Sequence, residues 1–138
     1  MKAVVDSSVI VKWLNSTDEE NVRDANNLLS DALEGKVELL APELAKYEVG
    51  NVLLKGKQLT PQQAYISLVT FHALPIEFVS ETEDQAKDTY LLAYNNKITY
   101  YDAAFLTLAK EYDATLITEN LKHQGKASNI KVTALKDY

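Results

Sequence analysis

Apolar and polar positions along this chain switch between strand-like and helix-like patterns, and the switches predict strands and helices in turn. Ala3-Val4-Val5 is a short apolar run closed by Asp6, the pattern of a buried strand. Ser8 to Leu14 reads as a first short helix. Thr17-Asp18-Glu19-Glu20 has capping-box spacing, in which a hydroxyl and a Glu three residues later satisfy each other's free backbone donors. It predicts a helix to about Glu34, stopped by Gly35. Val37 to Leu40 reads as a strand. Pro42 suits a helix first turn and predicts a helix to about Lys55-Gly56. Thr60-Pro61-Gln62-Gln63 is a second capping box, opening a helix to about His72. Ile76 to Val79 is a strand, and Ser80-Glu81-Thr82-Glu83 caps a helix to about Asn95. A helix over Tyr101 to Tyr112, a strand over Thr115 to Thr118 and a short strand over Ile130-Lys131-Val132 complete the series.

Strands alternating with helices predict an α/β fold: a three-layer sandwich with a central, mostly parallel, twisted sheet flanked by helices. No repeat, low-complexity tract or linker interrupts the pattern, so residues 1–138 read as a single domain. With 46% hydrophobic residues the chain can build a core without staples. It has no cysteine, which excludes disulfides, zinc-thiolate sites and cysteine nucleophiles and fits a cytoplasmic location. The first residues lack a signal-peptide pattern, and no apolar run is long enough for a membrane span. The formal net charge of −6 argues against a module that holds nucleic acid by phosphate contacts alone. It leaves room for a nuclease, because a bound divalent cation inverts the local field, and it suits a basic protein partner.

In open parallel sheets ligands bind beyond the carboxyl ends of the strands. Asp6 ends the first strand and falls at that edge, though an N-cap for the next helix explains it equally well. On the helix from Pro42, Leu44, Tyr47, Val52 and Leu54 are expected to share an inward face with Glu48 in its middle and Asn51 beside it. A carboxylate so placed is costly unless paired or bound to metal; the plainer alternative is a helix-edge Glu that snorkels to water. Asp102 precedes Phe105, Leu106 and Ala109 on an apolar stripe, while Thr99-Tyr100-Tyr101-Asp102 is also a capping-box pattern. Glu119 and Asn120 follow a strand and also fall at the ligand edge; for Glu119 ordinary loop polarity is the preferred reading.

Asp6, Glu48 and Asp102 come from separate segments, and like charges in one crevice require compensation. An oxygen-only donor set suits Mg²⁺ or Mn²⁺, which makes metal-assisted phosphodiester hydrolysis the leading chemistry. His72 and His123 lack zinc-ligand spacing, Ser7 and Ser8 lack a nucleophile-elbow context, and no glycine-rich phosphate loop exists. The eight tyrosines, including Tyr100-Tyr101, are expected mainly to pack, with base stacking as the alternative.

The stretches Val4 to Trp13, Tyr47 to Leu53, Tyr101 to Ala109 and Leu116 to Asn120 together resemble a PIN domain, and the size suits the VapC-type toxins of toxin–antitoxin pairs. The resemblance implies Mg²⁺- or Mn²⁺-dependent cleavage of RNA, a homodimer, and an antitoxin protein that blocks the site. It places the catalytic, metal-binding acids at Asp6, Glu48 and Asp102, with Asn120 as a weaker metal ligand where the family pattern has Asp. Ser8, Asn51 and Thr118 are expected to support the site or touch substrate. The alternatives are a housekeeping RNA-processing PIN nuclease, a non-catalytic PIN-like module binding RNA or protein, and, ranked last, a phosphoacceptor receiver.

Overall fold

The computed structural model describes residues 1–121 and 129–138. His123 lies outside the described residues. Five strands form one sheet: β1 (Lys2–Val5), β2 (Glu38–Pro42), β3 (Ile76–Val79), β4 (Thr115–Thr118) and β5 (Val132–Ala134). Among the described residues six α-helices flank it: α1 (Ser7–Leu14), α2 (Val22–Leu33), α3 (Leu44–Asn51), α4 (Pro61–Ala73), α5 (Glu83–Asn96) and α6 (Tyr100–Glu111).

The strand order is β3-β2-β1-β4-β5, and all four pairings are parallel. The expected α/β sandwich is therefore found, with a wholly parallel sheet. β1 is central, and Ala3, Val4 and Val5 have no exposed surface, as a strand covered on both faces requires. α6 packs on β1, β2 and β4 with α5 behind it, while α1 gathers α2, α3 and α4. The core runs from Val4, Ile10 and Leu28 through Leu40 and Leu53 to Phe105, Leu106 and Leu116.

Several boundaries differ from the sequence reading for identifiable reasons. The Thr17 capping box does not form. The Thr17 amide donates to Asn15 Oδ1 at 3.1 Å instead, Asp18 and Asn21 take left-handed backbone, and α2 starts at Val22. Its end holds to expectation, with Gly35 at φ +78° just beyond. Pro42 ends β2 rather than opening a helix; it pairs with Val79, past the last β1 pairing at Leu40, so its missing N–H breaks no bond to β1. The helix expected to reach Gly56 divides, with a π-helical segment at Val52–Gly56. The capping box of α5 is Thr82–Gln85, two residues later than Ser80–Glu83, whereas that of Thr60–Gln63 forms as expected. β5 lies at Val132–Ala134, two residues beyond its expected start.

The inward face of α3 also differs. Ala45, Val49 and Leu53 are buried, while Tyr47 and Leu54 are 78% and 62% exposed. Glu48 borders the buried row and is half-buried, and Asn51 is exposed. The small side chain of Ala45 lets the helix approach the sheet, a preference that the large apolar residues obscure in the sequence.

Candidate active site

The carboxyl ends of β1 and β4 meet at Asp6. Its amide donates to the Ile117 carbonyl at 3.1 Å, continuing the ladder one residue past the strand. Its side chain makes no helix cap. Oδ2 instead accepts the Ser8 hydroxyl at 2.6 Å and the Thr118 hydroxyl at 3.0 Å. Thr118 Oγ1 in turn accepts the Asn120 amide at 2.8 Å, and Ser8 Oγ accepts the Glu119 amide at 3.3 Å. The two hydroxyls thus fix the carboxylate against the loop that leaves β4. Two of the expected support residues, Ser8 and Thr118, are seated here; Asn51 is not.

Asp6 is only 9% exposed. Burial pushes its carboxyl above the ordinary Asp value, against hydrogen bonds from Ser8, Thr118 and the Ser7 amide, and the negative charge of Asp102 pushes the same way. Glu48 accepts the Ser7 hydroxyl at Oε1, 2.8 Å away. Its carboxyl is also raised, by burial and by the charges of Asp6 and Asp102, with Ser7 opposing. The three acids are therefore close enough to act on one another. Asp102 sits in the first turn of α6, where its amide takes the Thr99 hydroxyl oxygen at 3.0 Å. The reciprocal bond of a capping box is absent from that helix start, so its carboxylate remains available.

Glu119 and Asn120 are both exposed. The Glu119 carboxylate accepts from Asn21 at 3.1 Å and lies 3.8 Å from the Lys12 ammonium. Its carboxylate is thus engaged by Asn21 and Lys12 rather than by Asp6. His72 is exposed on α4, away from any zinc pattern.

Sequence reasoning missed two groups. Ser7 holds Glu48, and nothing distinguishes it from its neighbour Ser8 before the helix phase is known. Lys12, its side chain 4% exposed, pairs with Glu19 at 2.9 Å and donates to the Glu20 carbonyl at 2.7 Å. A lysine between Val11 and Trp13 in an apolar helix was the signal for it.

The donors at this edge are all hard oxygens. Asp6 Oδ1 and Glu48 Oε2 take no side-chain hydrogen bond among the described residues. Among those residues no three His, Asp or Glu side chains converge into a ready-made metal cage. The residues fit an Mg²⁺-like ion that keeps several of its waters and uses few protein ligands, rather than a fully caged one.

The sequence matches the PIN domain over residues 3–128. It is 34% identical over 125 residues to Ribonuclease VapC3 of Pyrobaculum aerophilum, an alignment that covers 86% of this chain and 88% of that relative. The fold resembles the structure of VapBC2 from Rickettsia felis bound to a promoter DNA fragment, with TM-score 0.72 and 16% identity over 97% of this chain and 98% of the other. It also resembles a toxin–antitoxin complex from Klebsiella pneumoniae, with TM-score 0.70 and 20% identity over 99% of each chain. A family match over most of the chain and 34% identity to a curated relative converge on one assignment: the chain belongs to the PIN domain family.

Proposed function

We propose that this chain is a divalent-metal-dependent endoribonuclease, the VapC-type toxin of a toxin–antitoxin pair, with Asp6, Glu48 and Asp102 as its catalytic acids. The observation that carries the reading is Asp6: a buried carboxylate at the end of the central strand, raised in pKa by burial and by the charge of Asp102. Buried like charges of this kind are costly without a cation and become useful with one.

Asp6, Glu48 and Asp102 would hold a hydrated Mg²⁺ or Mn²⁺ between them, in part through the ion's own waters, with Asn120 as a weaker contributor through its amide oxygen. When bound, the ion supplies charge neutralisation at the scissile phosphate and a more acidic water. Ser8 and Thr118 keep Asp6 Oδ2 fixed, which directs Oδ1 to the ligand side. Ser7 does the same for Glu48 through Oε1. Burial holds the carboxyls of Asp6 and Glu48 above their ordinary values, which makes each a stronger base toward an attacking water.

A protein partner and a second copy of the chain fit the surface. α4 exposes Tyr65, Ile66 and Val69, and α5 exposes Tyr90, Leu91 and Tyr94. Exposed apolar rows of this kind mark interaction surfaces, and the net charge of −6 favours a basic antitoxin. No helix among the described residues is long and apolar enough to cross a membrane, and the absence of cysteine suits a reducing cytoplasm.

The test is cleavage of an RNA panel with Mn²⁺ and with EDTA, by the parent and by Asp6→Asn. Cleavage that needs Mn²⁺ and disappears in the variant is expected. Equal cleavage by parent and variant at limiting metal would refute the assignment of Asp6.

A further inference from the structure

Beside the acids lies a cleft of about 290 Å³ to which the catalytic reading gives no role. Its walls include Leu44 and Tyr47 of α3, Tyr100 and Tyr101 of α6, and the strand ends Pro42 and Val79. Tyr47 directly precedes Glu48, and Tyr101 directly precedes Asp102. The cleft therefore opens on the same carboxyl edge of the sheet as the acids and shares two helices with them. Tyr47 and Tyr101 are 78% and 59% exposed, a poor use of large aromatic side chains unless something covers them.

The charges on the lining are all carboxylates, Glu43 and Glu81. Lys46 neutralises Glu43, but Glu81 has no cation partner among the described residues, so the rim is net negative and disfavours phosphate. Tyr100 donates its hydroxyl to Glu81, and burial together with that carboxylate pushes its pKa to about 12, so it remains a donor. Glu43 is paired with Lys46 at 3.0 Å, whereas Glu81 keeps its second carboxylate oxygen as an acceptor at the rim. At the inner wall Thr89 and Thr107 are hydrogen-bonded to each other at 2.9 Å, which leaves a neutral floor. Aromatic walls, a neutral floor and the free Glu81 oxygen at the rim suit a flat heterocycle that carries a hydrogen-bond donor on its edge.

We propose that this cleft receives one unpaired nucleobase of the RNA beside the cleaved bond and favours a base with an exocyclic amine. The proposal rests on the ribonuclease reading for its ligand class. It makes the enzyme selective for single-stranded RNA, because a paired base cannot be turned into the cleft.

The experiment measures binding and cleavage separately. Short oligo(A), oligo(C) and oligo(U) strands are titrated by fluorescence anisotropy against Asp6→Asn protein, in which turnover is blocked, and are cleaved by the parent with Mn²⁺. Two further changes are made in each background: Ala104→Phe, which fills the cleft, and Tyr101→Ala, which removes an exposed wall without touching the core. Oligo(A) and oligo(C) are expected to bind about tenfold more tightly than oligo(U), and either change is expected to remove most of that difference. No base preference in Asp6→Asn protein, or a preference that survives both changes, overturns the proposal and leaves the cleft to a protein segment. Base-selective binding with no Mn²⁺-dependent cleavage by the parent would remove the ribonuclease reading and keep the cleft. Cleavage without base preference would do the reverse.

Discussion

Thr118 donates its hydroxyl to Asp6 Oδ2 at 3.0 Å, across 112 positions of sequence. Thr118 has no exposed surface, and its oxygen also accepts the Asn120 amide. Thr118→Val keeps the shape and removes both bonds. It is expected to destabilise the protein by about 2 kcal/mol, because a buried carboxylate loses a donor and an amide loses its acceptor. Asp6 then moves further up, so the pH midpoint of Mn²⁺ binding rises. Calorimetric melts and metal titrations across pH measure both effects; an unchanged midpoint would detach Thr118 from the site.

The pH dependence of the metal-free protein follows from the two raised acids. A carboxyl raised above its unfolded value, 3.8 for Asp6 and 4.5 for Glu48, contributes stability that is fully present below that value. The contribution is lost as pH rises through the higher folded value. Asp6→Asn is therefore expected to be more stable than the metal-free parent at neutral pH, by about 1 kcal/mol, and to lose that advantage below about pH 4. Glu48→Gln should behave the same way to a smaller extent, since solvent screens a half-buried group. Urea melts in EDTA at several pH values give the comparison. A parent that outlasts Asp6→Asn at neutral pH would show that burial of the acid carries no strain.

Asn120 is exposed, and its backbone is tied to Thr118. Asn120→Asp adds a negative charge near Asp6 and Asp102. Without metal the change should lower stability through like-charge repulsion. With Mn²⁺ it should tighten binding by about 1 kcal/mol, as a charged oxygen replaces a neutral one. Isothermal titration and melts with and without Mn²⁺ test for the opposite signs. No change in either places residue 120 outside the metal shell.

Glu19 bridges Lys12 at 2.9 Å and Lys57 at 2.7 Å, and so ties the loop before α2 to the end of the π-helical segment. Burial opposes its charge, yet hydrogen bonds from Lys57 and Lys12 outweigh burial and hold its carboxyl below the ordinary Glu value. This contribution is present above about pH 4.5 and is lost as pH falls through the lower folded value. Glu19→Gln should cost about 2 kcal/mol at neutral pH, chiefly by leaving the Lys12 ammonium short of a counter-charge. The difference from the parent should shrink in acid. A pH-independent difference would mean that the loss is one of packing.

Much of the layout is legible in the sequence because it is local. β3 and β4 lie where short apolar runs place them, and α4 begins at the Thr60 capping box, whose signal spans four residues. Asp6 is readable as a strand-end acid because the run before it is uniformly apolar. The Thr17 box is misleading because Asn15 Oδ1 takes the Thr17 amide and the backbone turns left-handed at Asp18 and Asn21 before a helix can start. The face of α3 is misread because large side chains dominate the helical pattern while Ala45 makes the approach to the sheet. Ser7 and Lys12 are invisible as partners for the same reason, since what they bind comes from other elements.

The position of β1 has a consequence for synthesis. It is the first strand made, yet it lies between β2 and β4, and its second neighbour begins only at residue 115. A nascent chain that has passed the ribosomal exit through α6 has Asp6 but neither Thr118 nor the strand that carries it. The pocket for the first acid is completed only when the closing segment arrives, so partial translation products lack the finished centre. On the proposed ribonuclease reading, a growing polypeptide that lacks β4 is expected to be inactive toward the message and the ribosome producing it.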